Sequence, residues 1–148
     1  MNLIFNVKVT RHAEATEITG EGVEPPIGVD TANFHALMFV IVLGLITPGA
    51  GGSVRLQQSD AIDGIGDPFT DIPAVQVGVA QGSDQKIFLV EVSGTSKRFI
   101  KCIIDRDMGF GKLDCILAIQ AGGSHLPVNQ GVTVGSAQHH VDPDAVAT

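Results

Sequence analysis

The chain has 148 residues, the size of one ordinary domain. Its 16 acidic and 9 basic side chains leave a formal charge of -7, which argues against a protein built to grip phosphate backbones, a task that needs clustered Lys and Arg. Hydrophobic residues make up 44% and charged residues 17%, enough for a core but few charges for a free-standing surface, so part of that surface is expected to meet another protein.

Leu3, Phe5, Val7 and Val9 alternate with polar residues, which predicts a first strand with one apolar face. No basic stretch leads into a hydrophobic run here, so a signal peptide is not expected. Residues 11–35 read as an extended acidic connection with Glu14, Glu17, Glu21, Glu24, Asp30 and a Pro25-Pro26 pair, interrupted by a short strand near Thr16. Ala36 to Ile46 (ALMFVIVLGLI) is far shorter than the roughly 20 residues that span a bilayer and reads as a strand buried on both faces.

A Gly-rich turn at residues 47–52 and the alternating run Ser53 to Ser59 suggest that these two strands form a hairpin. Short strands are expected at residues 69–72 and 75–79. Lys86 to Ser93 and Arg98 to Asp105, separated by Gly94 to Lys97, read as a second hairpin, and Asp114 to Ala121 as the last strand. About eight short antiparallel strands, 18 Gly, 7 Pro and no helical periodicity predict an all-β domain over residues 1–121, a β-sandwich or jelly roll. Its expected core is Leu37, Phe39, Ile41, Leu43, Val54, Leu56, Phe88, Val90, Ile100, Cys102, Leu117 and Ile119. Residues 122–148 are polar and rich in Gly, which predicts a C-terminal arm whose Leu126, Val128, Val132 and Val134 fill pockets on a neighbour.

The chemistry-bearing residues form no recognisable catalytic pattern, and no enzymatic activity, cofactor or metal is expected. Asp60, Asp63 and Asp67 share one loop but lack the ligand spacing of a calcium loop, and Asp and Gly are ordinary turn formers. His12, His35, His125, His139 and His140 show no ligand spacing, and Cys102 and Cys115 read as isolated reduced thiols within apolar runs. Neither a GxSxG elbow nor a phosphate-binding loop occurs. The basic side chains concentrate in Lys97, Arg98, Lys101, Arg106 and Lys112, a pattern expected to meet an acidic surface such as the Glu14 and Glu17 stretch of a neighbouring copy.

The strand end Val54-Arg-Leu-Gln-Gln-Ser-Asp60, the loop closing on Phe69-Thr-Asp-Ile72 and the later Lys97-Arg-Phe-Ile-Lys101 resemble small virion proteins of tailed bacteriophages. The resemblance covers residues 36–105; the loop is longer here, Phe99 stands where Tyr is usual, and Ala61-Ile62 interrupts the usual acidic-Gly turn. What it implies is a β-sandwich structural protein of the phage particle, made in the host cytoplasm and located in the virion. The implied role is capsid decoration or cement. The implied partners are the major capsid protein and neighbouring copies of the chain in a homo-oligomer, with no direct nucleic acid or membrane contact. A tail or head-tail connector component is the nearest alternative. A host-glycan-binding module is a further one, weakened by the absence of Trp and Tyr.

Overall fold

The alternating apolar runs become nine strands in the computed structural model, which describes residues 3–18, 22–46, 51–80, 85–105, 111–124, 126 and 128–138. A single helical turn, α1 (Leu3–Asn6), precedes β1 (Val7–Ala13), so the first strand starts later than its alternation suggested and runs on into the stretch expected as a connection. The remaining strands are β2 (Thr16–Ile18), β3 (Val29–Asp30), β4 (Ala36–Ile46), β5 (Gly51–Ser59), β6 (Thr70–Ala80), β7 (Ile87–Ser93), β8 (Phe99–Ile104) and β9 (Gly111–Ala121). The two short strands expected at 69–72 and 75–79 are one strand, β6, whose pairing with β5 slips between Arg55 and Gln57. Pro73, which has no N–H to give a ladder, lies in that irregular stretch of β6.

Two antiparallel sheets result. Sheet A has the order β1-β9-β4-β7, with β2 also on β9, and sheet B has the order β3-β8-β5-β6. Both expected hairpins are corrected by this topology: β4 and β5 belong to different sheets, and so do β7 and β8. Among the described strands, β5 and β6 are sequence neighbours that do pair, across the 60–69 loop. The turn signals at 47–52 and 94–97 thus mark places where the chain crosses the sandwich, because a Gly-rich turn specifies a reversal of direction but not the sheet in which the next strand finds its partner.

The acidic connection is also more structured than its composition implied. Ile18, Pro25, Gly28 and Val29 are buried, and residues 23–30 run beside β8 through a Val23–Ile104 bridge and the β3 pairing of Val29 with Ile100. Gly28 is required there. A Cβ would stand 2.9 Å from Cβ of Phe99 and 3.1 Å from the ring of Phe69.

The core lies between the sheets and contains Leu37, Phe39, Ile41 and Leu43 of β4, Val54 and Leu56 of β5, Ile100, Cys102 and Ile104 of β8, and Val90 of β7. Phe88 is half-buried against it. On β9 the inward residues are Leu113, Ile116, Ala118 and Gln120, whereas Leu117 and Ile119, expected inside, face outward and are only half-buried. β1 follows the same parity, since Val7 pairs with Ala121 and Val9 with Ile119, so its apolar face also points away from the core. Gln120 is 1% exposed and satisfied, its side-chain amide donating to the Asp30 carbonyl at 2.7 Å and tying β9 to β3 across the sandwich.

This parity gives a paired expectation for neighbouring residues. In dilute protein, Ile116→Ala should cost about 2–5 kcal/mol in urea unfolding, and Leu117→Ala less than about 1.5 kcal/mol. Equal losses would mean that β9 faces the core the other way.

Candidate interaction surface

The outer face of sheet A is apolar across β1, β9, β4 and β7. Register places Val9, Ile119, Met38 and Glu91 in one cross-strand row, Arg11, Leu117, Val40 and Leu89 in the next, and Cys115, Val42 and Ile87 in a third. Leu89 is 62% exposed and Ile87 58%, while Val40, Val42, Leu117 and Ile119 are half-buried. The run expected to be buried on both faces is therefore covered on one, and its outward residues meet solvent. Arg11 and Glu91 lie at opposite edges of this face, and neither forms an ion pair among the described residues.

The two edges of sheet A differ. Along β1 the C-terminal stretch closes the edge: the Gln130 side-chain carbonyl accepts the Val9 N–H at 3.0 Å, and its amide donates to the carbonyls of Val7 and Ile4 at 2.7 and 3.2 Å. The Thr133 hydroxyl accepts the Arg11 N–H at 3.2 Å, and the Val128 N–H donates to Phe5. The expected arm thus begins on its own domain. Leu126 and Val132 stay exposed, Val128 and Val134 are half-buried, and residues 139–148 lie outside the described residues. β7 forms the other edge of the sheet.

Sheet B presents a polar outer surface, and most of the basic residues singled out in the sequence lie there on carboxylates of the same chain. Lys97 Nζ reaches both carboxylate oxygens of Asp67 at 2.8 Å, and Arg98 binds Asp30 through two 2.8 Å hydrogen bonds. Arg98 holds the Asp30 carboxyl below its ordinary range, and the pKa of Arg98 is raised in return. Lys101 is buried, donating to Glu24 at 3.0 Å and lying 4.2 Å from the Phe69 ring centre. Lys112 is exposed opposite Glu17 in the β2–β9 ladder, Glu14 is exposed between β1 and β2, and Arg106 lies outside the described residues.

The acidic loop is likewise committed to structure. Asp67 accepts the Asp60 N–H at 2.7 Å, and this bond, followed by Lys97, lowers its carboxyl pKa. Asp60 accepts the Arg98 N–H, Asp63 accepts the Ile65 N–H, and the Ser59 hydroxyl donates to the Asp67 carbonyl. No group of three potential metal ligands occurs among the described residues. Beside the loop, Asp71 accepts from both Arg55 and Gln57, at 2.6 and 2.9 Å, and Arg55 also reaches Asp105 at 3.1 Å.

His12 has a role its sequence context did not reveal. Pro25-Pro26 interrupts the strand beside β8 between the Val23–Ile104 bridge and the β3 pairing, and the Cys102 N–H in that gap donates to His12 Nε2 at 3.1 Å. The ring also packs on Phe39, with centroids 5.0 Å apart. Burial, and secondarily the charge of Lys101, lowers its pKa to about 4. Burial pushes the Cys102 thiol up to about 12, leaving it an inert core residue. The inward parity of Lys8, Thr10 and His12 was the available signal, masked by the apolar residues between them. A cleft of about 690 Å³ runs beside this latch between β1 and residues 23–30, and another of about 460 Å³ lies between residues 31–37 and 92–98.

Because the unfolded histidine takes up a proton near pH 6.5 and the folded one near 4, the unfolded state binds more protons between these values. Stability should be fully present above about pH 6.5 and fall by about 3 kcal/mol as the pH drops through 4. Urea unfolding at stepped pH should record that fall, and His12→Gln should flatten it. Separately, Gln130→Ala should speed amide exchange at Val9 by roughly tenfold, the loss of about one net hydrogen bond; unchanged exchange would show that the tail does not protect β1.

No family model matches the chain, and no curated protein matches it in sequence. Among solved structures, it is similar to the PBSX exported protein XepA, with 15% sequence identity and a TM-score of 0.46. That alignment covers 96% of this chain and 46% of XepA, so the chain spans less than half the length of the protein it matches.

Proposed function

We propose that the chain is a structural component of a bacteriophage particle, a capsid decoration protein that binds the assembled shell and links neighbouring subunits. The observation that carries this reading is the outer face of sheet A. Two strands turn larger apolar residues outward while Ala118, Gln120, Lys8 and Thr10 take the inward parity, an arrangement that makes physical sense when another surface covers that face.

The residues behind the phage-protein resemblance support the reading in a second way. Arg55, Gln57 and Ser59, then Asp71, then Lys97 and Lys101 converge on sheet B, where they clamp the 60–69 loop against β8 and β5. Their shared pattern is a folding pattern, suited to a subunit that must present a fixed surface many times over on a symmetric shell. Weak contacts repeated on several neighbours add through effective concentration, so strong attachment needs no single large interface.

The purified chain should bind assembled capsids and show little affinity for dispersed capsid subunits. Particles lacking it should lose infectivity sooner on heating and at low ionic strength. Equal resistance would overturn the cement role, and a location at the tail in electron cryomicroscopy of the whole particle would assign the chain to the tail instead.

A further inference from the structure

We infer that a second copy of this chain covers the outer face of sheet A, packed face to face about a twofold axis that runs parallel to the strands. The inference rests on that reading and deepens it: the contact that links neighbouring subunits through this face is one between two copies of the chain, and attachment to the shell falls to the rest of the dimer's surface. Four strands about 4.8 Å apart, with about five residues each at about 3.4 Å per residue, make a face of about 330 Å². That lies within the span of the largest apolar patches on monomers, which are often functional, and with a polar rim around it such a patch forms the apolar centre of an interface of about 800 Å² per partner.

Charge selects both the partner and the axis. Arg11 stands at the β1 edge and Glu91 at the β7 edge, on adjacent rows. A twofold axis along the strands lays β1 of one copy over β7 of the other, so each Arg11 approaches the partner copy's acidic edge, twice per dimer. An axis across the strands would lay β1 over β1 and bring the two arginines together, which like charges oppose. Sheets stacked this way pack about 10 Å apart with strands inclined by about 30°, and Val40 and Leu117 lie at the centre where water is excluded.

Native Cys115 provides a built-in reporter, because it faces outward opposite Val42 while Cys102 is buried. Sedimentation velocity of the full chain over a concentration series should show a monomer–dimer equilibrium, and the rate at which a thiol reagent modifies Cys115 should fall as dimer accumulates. Leu89→Asp, at an already exposed position, should weaken dimerisation at least about 100-fold while circular dichroism keeps the β spectrum. Arg11→Glu should weaken it roughly tenfold through two exposed pairs, and adding Glu91→Arg should restore it. A chain that stays monomeric at its highest soluble concentration overturns the inference, even if it still binds capsids; that result would give the face to another protein. A dimer indifferent to Leu89→Asp, or whose Cys115 reacts as fast as the monomer's, overturns it as well.

Discussion

The architecture depends on which way β9 faces. This strand is paired on both sides, with β4 along one edge and with β1 and then β2 along the other, so its parity dictates theirs. A shift of one residue would turn Leu117 and Ile119 into the core and expel Ala118 and Gln120. Over residues 117–120 apolar burial favours that alternative, although it would expel Leu113 and Ile116 as well. The buried hydrogen bond from Gln120 to the Asp30 carbonyl opposes it, because it supplies the partner that the inward amide requires and fastens β9 to the edge of the opposite sheet. Small Ala118 in the same row leaves room for Phe39, its cross-strand neighbour on β4.

The two outer faces then acquire opposite characters. Sheet B turns outward a set of charged groups that are largely paired with one another, which fixes loops and leaves little unspent charge. Sheet A turns outward a field of Val, Leu, Ile and Met bordered by Arg11 and Glu91, which form no ion pair among the described residues. Such a division suits a subunit with one face made for contact and the other finished. The clasp of Gln130 and Thr133 on β1 serves the same end, since it occupies one edge that would otherwise offer its N–H and C=O groups to any passing strand.

Sequence reasoning reached the all-β class and most strand positions because alternation and turn residues act locally. It located the inward faces of β4, β5 and β8, where the burial of Leu37, Val54 and Ile100 agrees with the simple rule that apolar residues go inside. It failed at β1 and β9, where that rule assumes that one sheet face stays in water. Pairing failed for a different reason: Gly94 specifies a turn, yet whether the next strand stays in the same sheet depends on vacancies left by distant strands, such as the place beside β4 that β9 fills. The basic cluster was visible in the chain, but its partners Asp30 and Asp67 lie 68 and 30 residues away from Arg98 and Lys97, beyond the reach of any local pattern.

The central place of β9 also sets the order in which the molecule can be made. Until residues 111–121 have been synthesised, β1 and β2 have no ladder to join, and β4 lacks one of its two neighbours. The β5–β6 hairpin and then β8 can assemble first, but the apolar inner face of that sheet waits for its cover. Folding is therefore governed by contacts between distant parts of the chain, which places it among the slower topologies. Through that interval the long apolar strand β4 is exposed on both faces, so the nascent protein carries a marked tendency to associate wrongly just before β9 arrives.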